Sequence, residues 1–232
     1  MLRATGASVR GPSHIQNRQP NQDALGLWGH RGGWIGIVAD GLGSRPMSQI
    51  GSRAACLAAR RVIRSSHSPE DPKSLMGAIY RAWLESLFVT PSSAATTILV
   101  AVTDCKGRTI LSQLGDGLVL YRSNGSFGIL THERSGFADQ TNALGLSRSW
   151  ADWQSESITL QIPGDGVILM TDGISDDLRW DDLEKFYWKL HKEFARRSSR
   201  LGKRWISTEL EHWPTPGHSD DKTIAMIWRD PK

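Results

Sequence analysis

Apolar residues follow two kinds of pattern along this 232-residue chain, and each pattern predicts a different element. Short runs rich in Val, Ile, Leu and Thr predict strands. Eight such runs lie at residues 24–28, 34–39, 94–103, 109–114, 118–122, 157–162, 167–171 and 223–228. Apolar residues at helical spacing predict helices at 48–66, 72–89 and 180–213. We expect Ser48 to cap the first helix and Gly202 to split the last one.

The predicted helices are grouped in two places instead of following each strand in turn. Regular alternation of strand and helix is typical of parallel sheets, so the grouping favours an α+β fold of antiparallel sheets packed with helices. The chain has no internal repeat, low-complexity tract or linker-like segment. We therefore expect one domain over residues 1–232.

Aspartates stand at the ends of several predicted strands. The Asp-Gly pairs at 40–41 and 172–173 each follow an apolar run and precede a predicted helix, so a hairpin turn does not explain them. A strand directly follows the pair at 116–117, and there a hairpin turn is a sufficient explanation. Helix capping suits Asp176 or Asp177 better than the strand-ending aspartates, which lie too close to their strands.

Four predicted strands thus begin or end in Asp, at Asp23, Asp40, Asp172 and the pair 220–221. Carboxylates that lie close together repel and take up protons unless cations lie among them. Mg²⁺ and Mn²⁺ prefer oxygen ligands, which suits an acidic cluster that lacks Cys and largely lacks His. Two such ions can activate a water for displacement at phosphorus. The residues therefore predict phosphate ester hydrolysis.

Seven short motifs occur in one order along almost the whole chain. They are Arg18-x-x-x-Gln22-Asp23, VADGLG (38–43), AATTILVA (94–101), LGDG (114–117), LT (130–131), GDGVILMTDGISD (164–176) and SDDKT (219–223). Together they resemble the metal-dependent protein serine/threonine phosphatases of type 2C, in particular the compact bacterial members. The resemblance implies a four-layer α/β/β/α sandwich of two antiparallel sheets that hydrolyses phosphoserine and phosphothreonine in proteins.

The resemblance also implies the ligands of two Mn²⁺ or Mg²⁺ ions. Asp40 would bridge the two ions, and the carbonyl group of Gly41 would bind the second. Asp172 and Asp220 would hold the first, and Asp220 matches the family's ligand better than Asp221 does. A hydroxide that bridges the metals would then attack phosphorus in line.

Four further residues match positions with roles in the family. Asp23 would orient a metal-bound water. Arg18 would clamp the substrate phosphate with paired N–H donors. The predicted catalytic residues are therefore Arg18, Asp40, Asp172 and Asp220. Asp116 and Asp176 match positions that hold a third, looser ion in bacterial relatives.

The sequence departs from the family pattern at three places. Gln22 stands where many members have Glu, which predicts weaker binding of the second ion. Leu42 replaces a His thought to protonate the leaving group, so a metal-bound water or the solvent would supply that proton. The flap expected near residues 130–145 is short or absent. His30, His132 and Ser44 are expected to be surface residues rather than substitutes for the missing acid.

These departures support a second hypothesis. In it the protein is a catalytically weak or inactive relative that binds a phosphorylated protein or a kinase through Arg18 and a basic helix. The retained aspartates at positions 40, 172 and 220 oppose this hypothesis. In the first hypothesis the expected partners are a phosphorylated protein substrate and a cognate kinase.

The net charge of +4 is concentrated in one segment. Residues 185–204 contain eight Lys or Arg and a single Glu. A solvated helix face is the simpler interpretation, and docking of an acidic partner is the alternative. A third reading, nucleic-acid binding, rests on charge alone and lacks an RNA-binding signature or Cys/His finger, so no nucleic-acid partner is expected.

The remaining composition bears on location and packing. No apolar stretch approaches the roughly 20 residues of a membrane span, and the first residues lack the apolar core of a secretory signal, so we expect a cytoplasmic protein with no membrane partner. Cys56 and Cys105 lie in apolar surroundings without metal-ligand spacing and are expected to be buried free thiols. The ten tryptophans are expected to pack in the core and along helices.

Overall fold

A computed structural model describes residues 1–66, 71–131, 142–147 and 149–231. Ten strands formed by the described residues are β1 (Leu2–Val9), β2 (Asp23–His30), β3 (Gly33–Asp40), β4 (Ile98–Thr103), β5 (Arg108–Leu114), β6 (Leu118–Ser123), β7 (Ser126–Ile129), β8 (Gln154–Thr159), β9 (Gly166–Met170) and β10 (Lys222–Arg229). They make two antiparallel sheets, with strand orders β1-β10-β9-β6-β7 and β2-β3-β4-β5-β8. The predicted pair of antiparallel sheets is confirmed.

Helices lie on the outer faces of both sheets. The α-helices in the described residues are α1 (Pro12–Gln16), α2 (Ser48–Ser65), α3 (Pro72–Ser86), α4 (Asp172–Ser175), α5 (Leu183–Ala195) and α6 (Ser199–Glu211). Side chains of α2 and α3 pack on the sheet that contains β3, and those of α5 and α6 pack on the sheet that contains β9. The expected four-layer α/β/β/α sandwich is therefore confirmed.

The central strands are apolar on both faces because both faces are covered. In β3, Ile35 and Ile37 face the helices, whereas Val38 faces the other sheet. In β9, Val167 joins the layer between the sheets and Ile168 packs under α5 and α6. Successive side chains of a strand point to opposite faces, so a strand buried on both sides becomes a continuous apolar run.

Two strands, β1 and β7, were not predicted from the sequence. The β1 sequence LRATGASV contains few of the branched and aromatic residues that favour strands. Its pairing with β10 runs over its full length, from Leu2 opposite Arg229 to Val9 opposite Lys222. Gly6 also fits where a side chain would not, since a Cβ there would lie 2.5 Å from the carbonyl oxygen of Ile224. A partner more than 200 residues away thus defines this strand.

Several predicted boundaries were wrong by a few residues. The strand expected over 94–103 begins only at Ile98, because Pro91–Ala94 form a 3₁₀ turn. The strand expected over 157–162 is shifted to β8, and α3 ends at Ser86 rather than at 89. Ser48 is the first residue of α2 rather than its cap; Met47 occupies the cap position without a side-chain hydrogen bond.

The last helical segment divides before Gly202, not at it. The chain leaves α5 after Ala195, and Ser198 begins α6 with its hydroxyl oxygen accepting a hydrogen bond from the Leu201 amide at 3.4 Å. Gly202 lies inside α6 and is buried, and a Cβ there would make only ordinary van der Waals contact with Phe194 and Thr5. The serine cap, and not the glycine, marks the break between the two helices.

The cysteines differ from each other, and one prediction about them was wrong. Cys56 is buried in α2, where burial raises the pKa of its thiol to about 12. Cys105 is exposed in the turn between β4 and β5. Eight of the tryptophans pack in or against the core, whereas Trp180 and Trp188 are about 40% exposed.

Two remaining expectations concern the membrane and the flap. Across the residues that the structure describes, no helix has both the length and the apolar character to cross a membrane. The flap prediction and His132 fall on residues 132–141, which lie outside the described residues.

Candidate metal centre

Asp23 and Asp40 meet because their strands pair in an antiparallel ladder. Asp23 is the first residue of β2 and Asp40 the last of β3, and the register places them opposite each other. The two carboxylates are neighbours, and Asp23 is 5% exposed whereas Asp40 is half-buried. One sheet edge thus contributes a buried carboxylate with a half-buried one beside it.

The backbone around Asp40 is fixed by the segment AATTILVA. The amide of Asp40 donates to the hydroxyl of Thr97 at 3.0 Å, and its carbonyl accepts from the amide of Thr97 and from the hydroxyl of Thr96 at 2.8 and 2.7 Å. The amide of Gly41 donates to the carbonyl of Gln22 at 3.1 Å. A Cβ on Gly41 would lie 2.6 Å from the carbonyl oxygen of Ser48, so only glycine fits. The two threonines therefore position the Asp-Gly pair.

The other sheet supplies Asp172 and Asp220. Asp172 follows β9 as the first residue of α4, and Asp220 precedes β10, which pairs with β9. Each carboxylate accepts a hydrogen bond from the next residue's amide, at 2.7 and 2.8 Å respectively. The hydroxyl of Thr171 donates to Asp23 at 2.9 Å and joins the two sheets at this edge.

Asp116 lies between sheets rather than in a hairpin, which corrects the prediction for the pair 116–117. The preceding β5 belongs to one sheet and the following β6 to the other, so the chain crosses over here. The crossover brings a carboxylate oxygen of Asp116 within 4.8 Å of carboxylate oxygens of Asp40 and Asp172. The local sequence of this Asp-Gly pair predicted a simple hairpin turn, yet Asp116 lies beside Asp40 and Asp172.

A cleft of about 190 Å³ opens above these carboxylates. The residues that line it are His14, Gln22, Asp40, Gly41, Leu42, Gly43, Asp116, Asp172 and Asp220. Six of the eight predicted metal-binding positions are therefore together at one cleft, and Asp23 lies directly behind Asp40. The donor set consists mainly of carboxylate and amide oxygens, which fits Mg²⁺ or Mn²⁺ and does not favour softer metals.

Besides Asp23, two predicted site residues do not line the cleft. Asp176 is an exposed residue at the end of α4, although its charge contributes to raising the pKa of Asp172. Arg18 is exposed just after α1, with a φ of +55°. Ser44 is exposed, and His30 lies at the far end of β2 from Asp23.

Burial and mutual repulsion make the ionised cluster unfavourable without a cation. Burial raises the pKa of Asp23 and of Asp172 to about 7, and the charges of neighbouring carboxylates add to the shift at both. Burial and the charge of Asp23 raise the pKa of Asp40 well above its usual range. A divalent cation would remove this repulsion, so the electrostatics of the cleft agree with its oxygen donors.

Two neighbours of the cluster, Asp221 and Lys222, make contacts that were not predicted from the sequence. Asp221 was considered only as a ligand and set aside, yet it is buried and accepts a hydrogen bond from Nδ1 of His14 at 2.8 Å. Lys222 is 2% exposed and donates from Nζ to the carbonyl of Asp220 at 2.9 Å, and burial lowers its pKa. The sequence SDDKT, with two Asp followed by a Lys, was the only local sign of these residues. It could not predict the contact of Asp221, because His14 lies far away in the sequence.

Comparison with known proteins gives one family match. The sequence profile described as Protein phosphatase 2C matches residues 10–213. A sequence search against functionally characterised proteins gave no significant match.

Solved structures with a similar fold include two phosphatases and one regulatory component. The photosystem II phosphatase PBCP is 13% identical, with a TM-score of 0.70 and 99% of each chain covered. The catalytic domain of the serine/threonine phosphatase PstP, solved with two manganese ions, is 16% identical with a TM-score of 0.68 and 99% of each chain covered. PppA, a key regulatory component of T6SS in Pseudomonas aeruginosa, is 16% identical with a TM-score of 0.67, covering 98% of this chain and 97% of its own. At these identities the likeness shows a common fold.

Proposed function

Because the chain belongs to the protein phosphatase 2C family, we propose that it hydrolyses phosphoserine and phosphothreonine in proteins with Mn²⁺ or Mg²⁺ as cofactor. The observation that carries the proposal is the convergence of Asp40, Asp116 and Asp172, whose carboxylate oxygens lie within 4.8 Å of one another at the cleft. A cluster of this kind needs cations to stay ionised, and phosphate esters are substrates that paired divalent ions activate.

The proposed ligands follow the positions around the cleft. Asp40 would serve both ions, the carbonyl of Gly41 would hold the second, and Asp172 and Asp220 would hold the first. When bound, the ions would activate a water as nucleophile and place positive charge opposite the phosphoryl oxygens. All four residues line one cleft, which supports this assignment.

Four further positions have supporting roles in the proposal. Gln22 would offer a neutral amide to the second ion, and Asp23, behind Asp40, would orient that carboxylate and a water beside the ions. Asp116 and Asp176 offer oxygens to a third ion. The exposure of Asp176 suits weaker, exchangeable binding.

Arg18 binds the phosphoryl group of the incoming substrate in this proposal. Its left-handed backbone costs a non-glycine residue about 1 kcal/mol, and such strain tends to be kept at binding sites. Since the side chain is exposed and outside the cleft lining, it would engage the phosphate as the peptide enters. A planar guanidinium can hold two phosphoryl oxygens at once.

We propose a phosphorylated protein as substrate, a cognate kinase as the enzyme that produces it, and the cytoplasm as the place of action. Helices α5 and α6 carry exposed cations that suit an acidic phosphoprotein, namely Lys189, Lys192, Arg200, Lys203 and Arg204. The second candidate function, a weakly active binding protein, is favoured by Gln22 and Leu42 in the cleft wall.

The test is phosphate release from a phosphothreonine peptide with Mn²⁺, with Mg²⁺ and with chelator. We expect metal-dependent turnover that falls by more than about 100-fold in Asp172→Ala, because a ligand loss exceeds the 10- to 100-fold effect of residues behind the ligands. Asp181→Ala removes an exposed aspartate near α5 and serves as the matched control with unchanged turnover. Folded protein that binds metal but releases no phosphate would favour the binding function instead.

A further inference from the structure

His14 lies in the wall of the metal cleft and is held by a buried carboxylate. Its Nδ1 lies 2.8 Å from Oδ2 of Asp221, and the two side chains are 13% and 1% exposed. His14 lines the same cleft as Asp40 and Asp220. Because Asp221 engages Nδ1, Nε2 is the ring nitrogen available to the cleft.

Two further hydrogen bonds hold the carboxylate of Asp221 in the position that contacts His14. The amide of Gly11 donates to Oδ1 at 2.6 Å, and the amide of Gln22 donates to Oδ2 at 2.6 Å. Both oxygens thus accept hydrogen bonds from backbone amides, which fix the position of the carboxylate. The arrangement matches the pattern in which a base or acid is oriented by a third group.

The short helix α1 is locked against the loop that carries Asp220. The amide and hydroxyl of Ser13 both donate to the carbonyl of Ser219, at 3.1 and 3.0 Å. Gly11 lies so close that a Cβ there would be 2.3 Å from the carbonyl carbon of Asp220. His14 and a proposed metal ligand therefore belong to one rigid unit.

Apart from the aspartates proposed to hold metal, the other described residues that line the cleft have no acidic side chain. Leu42 lines it, and its aliphatic side chain cannot donate a proton. His30 lies at the opposite end of β2, and Ser44 is exposed outside the cleft lining. Among the described residues that line the cleft, His14 is the one with an imidazole.

We propose that His14, oriented by Asp221, donates the proton that the leaving serine or threonine oxygen needs. The inference rests on the proposed phosphatase function. As the attacking water oxygen forms its bond to phosphorus, the bond from phosphorus to the ester oxygen breaks, and that oxygen takes the proton from Nε2. The products are a free hydroxyl side chain and inorganic phosphate, and the imidazole regains a proton from solvent. Asp221 acts as a positioning residue.

Leaving-group chemistry distinguishes this role from the alternatives. A serine or threonine alkoxide is a poor leaving group and needs a proton, whereas p-nitrophenolate leaves without one. Loss of a proton donor costs about 100-fold or more on the substrate that needs it. A His that bound metal, or that only supported the fold, would affect both substrates alike.

The experiment compares wild type with His14→Gln on a phosphothreonine peptide and on p-nitrophenyl phosphate at saturating Mn²⁺. We expect kcat on the peptide to fall by about 100-fold and kcat on p-nitrophenyl phosphate to stay within about threefold. The Mn²⁺ concentration for half-maximal rate should not change. Asp221→Asn should show the same selectivity with a smaller loss. His212→Gln, in an exposed histidine at the end of α6, is the matched control with both rates unchanged.

The outcomes separate this inference from the proposed function. Equal losses on both substrates, a raised Mn²⁺ requirement, or no loss in His14→Gln would each overturn the proton-donor role while the phosphatase function stands. Wild type that hydrolyses neither substrate would remove both. If His14→Gln does not fold, a series of aryl phosphates tests wild type directly. Rates that fall steeply as the leaving group becomes less acidic would overturn the inference, and a shallow dependence would support it.

Discussion

The two ends of strand β9 carry the same dipeptide, Asp-Gly, in opposite environments. At the start, Asp165 is fully buried and is surrounded by donors. Four backbone amides donate to its carboxylate at 2.8–3.0 Å, and the guanidinium of Arg122 lies at 3.4 Å; the amides belong to Asn124, Gly125, Gln161 and Ile162. At the other end, Asp172 accepts from its neighbour Gly173, and its charged surroundings are other carboxylates.

This difference shows what separates a structural carboxylate from one that awaits a ligand. Asp165 has its charge balanced by groups of the chain itself, so it contributes to the fold. Burial, together with the charges of Asp116 and Asp220, raises the pKa of Asp172 to about 7, so a cation beside it is favoured. The Asp-Gly sequence is common to both, and the groups around each carboxylate distinguish them.

The largest effect is expected when Asp165, the structural carboxylate, is removed. Asp165→Ala leaves four buried amides and Arg122 without their acceptor, and we expect the free energy of unfolding to fall by about 3–5 kcal/mol. Denaturant-induced unfolding of metal-free protein measures this value. Asp172→Ala is the matched contrast and should leave the stability of metal-free protein unchanged or slightly higher. Equal destabilisation by both variants would contradict the distinction.

The pH dependence of stability should reveal the raised pKa values of the carboxylates in the cluster. Asp23 and Asp172 have a pKa of about 7 in the folded protein and near 3.8 when unfolded, so the folded state binds more protons between these values. The free energy of unfolding of metal-free protein should therefore fall as pH rises from about 4 to 8. Thermal unfolding across this range measures it.

Saturating Mn²⁺ supplies the control for this pH series. The ion replaces the protons in the folded state, so the decline with pH should disappear or reverse. Calorimetric titration near pH 7 in buffers of different ionisation enthalpy should detect protons released on metal binding. A metal-free protein whose stability rises over the same range would contradict the raised pKa values.

A smaller effect, on the affinity for Mn²⁺, is expected from a substitution at Gln22. Gln22→Glu adds a carboxylate to the cleft wall, and we expect the affinity for Mn²⁺ to rise by about tenfold. Gln16→Glu adds the same charge on exposed α1 and controls for long-range attraction. Calorimetric or activity-based Mn²⁺ titrations compare the two variants. Unchanged affinity in Gln22→Glu would mean that Gln22 does not limit metal binding.

Sequence patterns predicted the parts of the site that depend on local structure. Asp40 and Asp172 were identified because each ends an apolar strand and precedes a helix, a pattern visible within about ten residues. Asp116 was found through the family resemblance alone. Its local pattern indicated a hairpin, and only the crossover between sheets reveals its place.

The parts that were missed depend on contacts between distant segments. The pair formed by His14 and Asp221 spans 207 residues, and β1 is defined by its pairing with β10. No local propensity encodes such a contact, because the groups become neighbours only after both sheets have assembled. The Gly202 prediction failed for another reason, since a single glycine is tolerated inside a helix and the break lies at the capping residue Ser198.

The placement of Cys105 has a practical consequence. The chain has two cysteines, and the thiol of Cys56 is buried with a raised pKa, so Cys105 is the one open to maleimide reagents. The residue follows the end of β4 that lies opposite the Asp40 end of the sheet. Native protein coupled to a surface through this single thiol would be immobilised in one orientation, with its cleft turned toward the solution.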